Sequence, residues 1–148
     1  MPIEIERKFL VRQELFPKEL PAPDELEQGY LCTEPTVRVR LVSRPDGTRH
    51  AELTIKGSGL LRRQEFNYPI PAEDAEALLR LCSRGLRKRR RKLGRWDLDH
   101  FPERDLWLAE IELKYESEPF EKPRWLGEEV TDNPEYANIR LASPKRPE

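Results

Sequence analysis

Acids and bases recur in this chain at a spacing that chemistry can use. Glu4, Glu6 and Lys8 sit two apart. In an extended segment their side chains leave one face, while Ile5 and Phe9 leave the other. The alternation returns down the chain. Arg38 and Arg40 stand among Val37, Val39 and Leu41, and Lys56 follows Glu52 and Thr54 on one face with Leu53 and Ile55 on the other. Arg63, Glu65 and Asn67 alternate with Gln64, Phe66 and Tyr68. Lys88 and Arg90 lie in a basic run, Asp97 and Asp99 flank Leu98, and Glu110 and Glu112 alternate with Ala109, Ile111 and Leu113. A lone segment of this kind is an ordinary half-buried strand with a wet polar face, and its ion pairs contribute little. The recurrence, with signs chosen strand by strand, points instead to charge gathered inside the fold.

Such a constellation has a chemistry. Lys8, Arg38, Arg40, Lys56, Arg63, Lys88 and Arg90 together call for a polyanion, Arg clamping oxygens in pairs and Lys acting as a point charge. Bare carboxylates would repel that polyanion, so Glu4, Glu6, Glu65, Asp99, Glu110 and Glu112 make sense beside it with a divalent cation between. Only two His occur, His50 and His100, and two Cys, Cys32 and Cys82. Hard oxygen ligands without them select Mg²⁺ or Mn²⁺ over zinc or copper. A linear triphosphate lying along a channel fits both halves of the site.

The elements that must position these residues follow from the rest of the sequence. At 148 residues the chain reads as one domain, 1–148, with a frayed end at 143–148. Hydrophobic residues are 36% and charged residues 37%, low and high for a globular protein. Disorder would give charge without period, and here the period is two. The net charge of −1 raises no global field for nucleic acid. No apolar run reaches membrane length and no signal-type segment opens the chain. The expectation is a cytoplasmic monomer or homodimer, with both cysteines reduced and packed inside and Trp96, Trp107 and Trp125 serving as packing residues.

Pro45–Thr48 reads as a hairpin turn. Residues 13–26 read as a short helix or loop, and 28–31 as a short strand. The stripe Ala75, Leu78, Leu79 and Cys82 predicts a helix opening at Pro71–Asp74 and ended by Gly85. Further strands are expected at 86–93, 96–101 and 106–115, and short tail helices around 124–126 and at 134–142, with Glu128 and Glu129 at a helix end. About eight strands suffice to close a small barrel. The fold class expected is α+β: an eight-stranded antiparallel β-barrel turned inside out, with a charged lumen, an apolar outside and helices packed on the outer wall. The basic run 87–92 reads in either register, and a one-residue slip would reverse every side chain. The reading taken turns Lys88 and Arg90 inward; the other makes the run a solvated basic face.

Glu4-Ile5-Glu6-Arg7-Lys8-Phe9-Leu10-Val11 resembles the ExExK signature of the CYTH superfamily, the triphosphate tunnel metalloenzymes. The similarity extends through Gln28-Gly29-Tyr30-Leu31, Val37–Leu41, Thr54-Ile55-Lys56, Arg63-Gln64-Glu65, Leu98-Asp99 and Glu110-Ile111-Glu112 to the tail Trp125–Thr131 with Tyr136, Asn138, Leu141 and Ala142. The resemblance implies an antiparallel tunnel that binds triphosphate with a divalent metal. It assigns the metal to Glu4, Glu6, Glu110 and Glu112, with Glu65 and Asp99 nearby for a second metal or its waters. Lys8, Arg38, Arg40, Lys56, Arg63, Lys88 and Arg90 would grip phosphates, and Lys88 with Tyr30 would activate the attacking water. The opening looks most like that of short bacterial inorganic triphosphatases. Class IV adenylyl cyclases and thiamine or nucleoside triphosphatases are the alternatives within the superfamily, and a non-catalytic polyphosphate-binding module is the alternative outside it. Asn67 stands where many members carry a second Glu, which leaves one metal or two open.

Overall fold

A computed structural model describes residues 2–144. Its strands are β1 (Ile3–Val11), β2 (Asp24–Thr33), β3 (Thr36–Ser43), β4 (Arg49–Lys56), β5 (Arg62–Ile70), β6 (Arg84–Leu93), β7 (Trp96–Phe101), β8 (Leu106–Glu112), β9 (Leu126–Glu129) and β10 (Ser143–Pro144); the helices are α1 (Ala72–Leu81) and α2 (Asn138–Leu141). Eight strands run in the order β6-β2-β3-β4-β5-β1-β8-β7, and β7 pairs back onto β6 to close the barrel. All pairings are antiparallel. Both helices lie outside the strands.

The register explains where the charges go. Residues directly opposite one another on paired strands point to the same side. Lys8 faces Glu110, and Glu4 faces Arg63. Lys56 faces Glu65, and Arg90 faces Asp99. Arg40 lies between Gln28 and Glu52. One inward parity therefore runs round the barrel and carries Lys88 and Arg90 with it.

The opposite parity builds the outer wall. Ile5, Phe9, Trp96, Leu98, Ala109 and Ile111 form one apolar sheet face. Loops rather than helices cover it: Leu15, Phe16 and Leu20 from one side, Phe120 and Trp125 from the other. Trp96 meets Phe9, Phe120 and Trp125 edge to face, with centroids 5.6, 5.7 and 5.6 Å apart. Across the barrel, Ala75 and Leu79 of α1 pack on Val39, Leu41 and Ala51. Acids in the first turn of α1 (Glu73, Asp74) and Arg80 in its last suit the helix dipole.

Several expectations are corrected. Residues 13–26 hold only a single 3₁₀ turn, Gln13–Leu15, before β2 begins at Asp24. The last barrel strand stops at Glu112, short of Tyr115. The segment around 124–126 is no helix, and Glu128 and Glu129 belong to strand β9. The cause is a backbone shortage. The β5 pairing with β1 runs only over Ile3–Ile5, so the far half of β1 would keep unpaired polar groups. β9 supplies the partners: Val130 N–H donates to Lys8 O at 2.8 Å, and Arg12 N–H to Trp125 O at 2.7 Å. Ser143 and Pro144 pair with Gly85 and Arg84, and the rest of the end expected to fray, 145–148, lies outside the described residues. Cys82 is buried as expected, but Cys32 is exposed.

The contact between α1 and the sheet requires glycine at one point. A Cβ on Gly29 would stand 2.7 Å from Cys82 Sγ and 2.9 Å from its Cβ. Gly29→Ala is expected to lower unfolding free energy by about 1–3 kcal/mol, the usual cost of overpacking. Urea denaturation measures it, and an unchanged midpoint would contradict the seating of α1 on β2.

Candidate active site

The inward parity opens on a cavity of about 190 Å³. Lys8, Arg38, Arg40, Lys56, Arg63, Lys88 and Arg90 all line it, as do Glu4, Glu6, Glu65, Glu110, Glu112 and Tyr30. Of the residues singled out by sequence, only Asp99 is absent from the wall. Two further acids stand there, Glu52 and Asp97, together with Thr131, Asn133 and Asn138 from the tail. Glu52 and Asp97 share the inward parity of Lys56 and Asp99, so alternation alone could have found them. No periodicity marks the tail residues.

The barrel interior is charged only in part. Leu10, Tyr30, Leu86, Phe101, Leu106 and Leu108 have inward parity and cluster with Val130, Tyr136, Ile139, Leu141 and Ala142. They come from the end of β1, the end of β7 and the starts of β6 and β8, which meet at one end of an antiparallel barrel. α2 and its neighbours thus seal that end with an apolar plug. The tail is held there by charge as well: Lys8 Nζ donates to Tyr136 O at 2.9 Å, and Lys88 Nζ to Asn138 Oδ1 at 2.7 Å.

The ion pairs fall into two groups. The tight group centres on Asp99, which is fully buried. Arg90 donates to both its oxygens at 2.7 and 2.8 Å, and Lys88 Nζ lies 2.7 Å from Oδ2. Burial would raise the Asp99 carboxyl, but Arg90 and Lys88 hold it below the ordinary range. Asp99 therefore spends both oxygens on fixing two cations and stands behind the cavity wall. In the loose group, Lys56 lies 3.4 Å from Glu4 and 3.5 Å from Glu65, and Arg63 3.3 Å from Glu4. Lys8 lies 3.5 Å from Glu110, and Glu52 lies 3.5 Å from Arg38 and 3.4 Å from Arg40.

This crowding moves protons. Burial pushes the Lys88 ammonium down to about 7, with Asp99 pulling it back and Arg90 pushing it further. Glu6 is pushed up to about 8, by burial first and then by Glu110 and Glu4. Glu4 sits at about 2 despite its burial, held down by a hydrogen bond from Glu65 and by Lys56 and Arg63. Glu65 is raised by burial and by that same contact. Glu110 is buried too, yet Lys8, Lys88 and Arg90 keep it well below the ordinary carboxylate range.

The acids suit a hard divalent cation. Among the described residues no three carboxylates, imidazoles or thiols already converge as a metal cluster. Yet Glu6 stands directly opposite Glu112, and burial with the charges of Glu110 and Glu4 favours its protonated form. A cation between these oxygens would take the place of that proton, so the donor set fits the Mg²⁺ or Mn²⁺ that the resemblance implies.

Tyr30 and Lys88 line one cavity from backbone positions four residues apart. Lys88 pairs across with Leu26, whereas Tyr30 pairs with Arg84. Four residues along a strand is roughly 13 Å. Tyr30 is raised above its ordinary value by burial, against the pull of Arg38 and Arg40. The outward half of the basic run has partners of its own: Arg89 pairs with Glu25 at 2.9 Å and Arg87 with Glu27 at 3.8 Å, and Arg91 lies over the Trp107 ring. Trp107 also stacks on His100 at 4.5 Å.

Comparison with known proteins agrees with this geometry. The family described as the CYTH domain matches residues 2–140. An inorganic triphosphatase of Acetivibrio thermocellus is 36% identical over 149 residues, spanning 93% of this chain and 92% of that protein. The inorganic triphosphatase of Nitrosomonas europaea is likewise 36% identical, spanning 94% and 96%. A crystal structure of an inorganic triphosphatase superposes with a TM-score of 0.59 at 34% identity, covering 95% of this chain and 99% of that one.

The raised Glu6 pKa has a consequence for stability. Between 4.5, its ordinary value, and about 8, the folded protein holds a proton that the unfolded chain has released. Stability therefore falls as pH rises through that window. Without metal, Glu6→Gln should melt close to wild type at pH 5 and several degrees above it at pH 8. Thermal melts in chelator measure this, and parallel curves for the two proteins would contradict it.

Proposed function

The chain belongs to the CYTH family, and on that footing we propose that it is a metal-dependent inorganic triphosphatase, cleaving tripolyphosphate to diphosphate and phosphate. The observation that carries the reading is the gathering of seven cations on one cavity, interleaved with carboxylates. Arg38, Arg40, Lys56, Arg63, Arg90 and Lys8 bind and orient the phosphate chain. Glu4, Glu6, Glu110 and Glu112 would hold Mg²⁺ or Mn²⁺, with Glu65 alongside. Bound there, the metal supplies neutralisation of the charge that moves onto the leaving diphosphate.

Lys88 is the general base of this reading. Its amine lies low enough, at about 7, to be neutral in a useful fraction of molecules. It takes a proton from the attacking water as the new P–O bond forms and the bridging P–O bond breaks. Asp99 and Asn138 hold its Nζ. Tyr30 lines the cavity wall beside the phosphates and takes an orienting role in this reading. The plugged end of the barrel argues against a cyclase, because the apolar surface that a purine would need is already filled by Ile139, Leu141 and their neighbours. A cytoplasmic setting belongs to the same reading; among the described residues no helix is long and apolar enough to cross a membrane.

The test is phosphate release from tripolyphosphate, ATP and thiamine triphosphate, with Mg²⁺ or Mn²⁺ and with chelator. Tripolyphosphate should be the preferred substrate and chelator should abolish turnover; equal turnover in chelator would sink the metal assignment. Lys88→Met should lose about 10²–10⁴-fold in kcat while still binding tripolyphosphate in a titration. Wild-type kcat should rise as pH passes through about 7, and a rate that is flat or falling there removes Lys88 as the base.

A further inference from the structure

Arg38 and Arg40 are positioned by neutral groups and compensated by a single acid. Thr54 Oγ1 accepts from Arg38 Nη2 at 3.1 Å, and Gln28 Oε1 accepts from Arg40 Nε at 2.8 Å. Thr54 and Gln28 are both fully buried, so the aim of the two guanidinium groups is set by the packed wall. Their ion-pair partner is Glu52, which reaches both through one oxygen, Oε1, at 3.5 and 3.4 Å. Those separations exceed the roughly 2.7–2.9 Å of a committed charge-assisted hydrogen bond, which Asp99 does achieve with Arg90 at 2.7 and 2.8 Å. Glu52 also keeps 30% of its side chain exposed, against 0% for Asp99. Arg38 Nε is buried without a hydrogen-bond partner, so Glu52 leaves part of the pair's donor capacity unused.

We propose that Glu52 is a tethered, displaceable counter-ion that occupies the place of a phosphate on Arg38 and Arg40 and sets which anions can enter. The inference rests on the reading of this cavity as a polyphosphate site. An incoming anion must offer the two arginines more than one carboxylate oxygen does. A phosphate chain does so, because its terminal oxygens engage Arg38 and Arg40 together while its other phosphates engage Lys56 and Arg63. A small anion such as sulfate meets only the local pair and competes with Glu52 on nearly equal terms. Glu52 therefore lowers affinity for all anions but penalises small ones most, which keeps the site clear of orthophosphate-sized ligands. Because Thr54 and Gln28 hold the arginines independently, removing the Glu52 charge leaves them aimed.

The experiment is calorimetric titration of wild type, Glu52→Gln and Glu52→Ala with sodium sulfate and, separately, with tripolyphosphate, all in chelator. Glu25→Gln serves as the control, since Glu25 pairs with Arg89 on the outer surface. Both Glu52 variants should bind sulfate about fivefold to tenfold more tightly than wild type, and tripolyphosphate more tightly by a smaller factor, with Glu25→Gln unchanged. Sulfate affinity that is unaltered, weakened or undetectable in both Glu52 variants overturns the proposal, as does an equal gain in the control. If tripolyphosphate fails to bind wild type while the sulfate gain appears, the polyphosphate reading falls and the role of Glu52 as counter-ion stands.

Discussion

Charge taken out of water must be compensated, and that constraint shapes this molecule more than any apolar contact does. An ion moved into a protein interior loses several kcal/mol even after relaxation. The barrel nevertheless directs seven cations and a comparable set of acids onto one cavity. It meets the constraint in two ways. Asp99 holds Arg90 and Lys88 at hydrogen-bond distance. The remaining pairs stand at 3.3 to 3.6 Å, close enough to balance charge but loose enough to be exchanged for a ligand. Where neither device suffices, protons move, as at Glu6 and Lys88.

The rest of the fold follows from placing charge inside. With one part of the lumen given over to ions and the other to the plug, the apolar residues of outward parity must find cover outside. α1 supplies it on one flank, and the aromatic loops around Trp96 and Trp125 supply it on another. The chain's last third then does two jobs. β9 pairs the half of β1 that β5 leaves bare, and the segment after it plugs one end of the barrel while reaching Lys8 and Lys88. The first strand, which carries Glu4, Glu6 and Lys8, is thus clamped by β5, β8 and β9 together.

Much of this was legible from period-two alternation. It placed Glu4, Glu6, Lys8, Arg38, Arg40, Lys56, Arg63, Glu65, Glu110 and Glu112 on one side of their strands, and in the basic run the inward register of Lys88 and Arg90 is the one adopted. What alternation cannot reveal is rank within a shared face. Asp99 and Glu52 have the same parity, yet one is sealed behind two cations and the other borders the cavity. The difference depends on cross-strand neighbours: Arg90 stands opposite Asp99, whereas Arg40 stands opposite Glu52 with its Nε already taken by Gln28. The tail was least legible. Residues 126–129 read as helix because nothing local marks them as a strand; their pairing is dictated by vacant hydrogen bonds on β1, more than a hundred residues earlier. The role of Asn138 at Lys88 is likewise a product of tertiary placement.

The central claim is that the enclosed ions are a preformed receptor for a polyanion and not a self-contained salt-bridge network. Thermal unfolding with and without tripolyphosphate, at matched ionic strength, tests it most directly. A ligand that binds only the folded state raises its stability by mass action, so tripolyphosphate should raise the melting temperature by several degrees while an equal ionic strength of sodium chloride leaves it unmoved. A melting temperature that responds to the two salts alike would contradict the account.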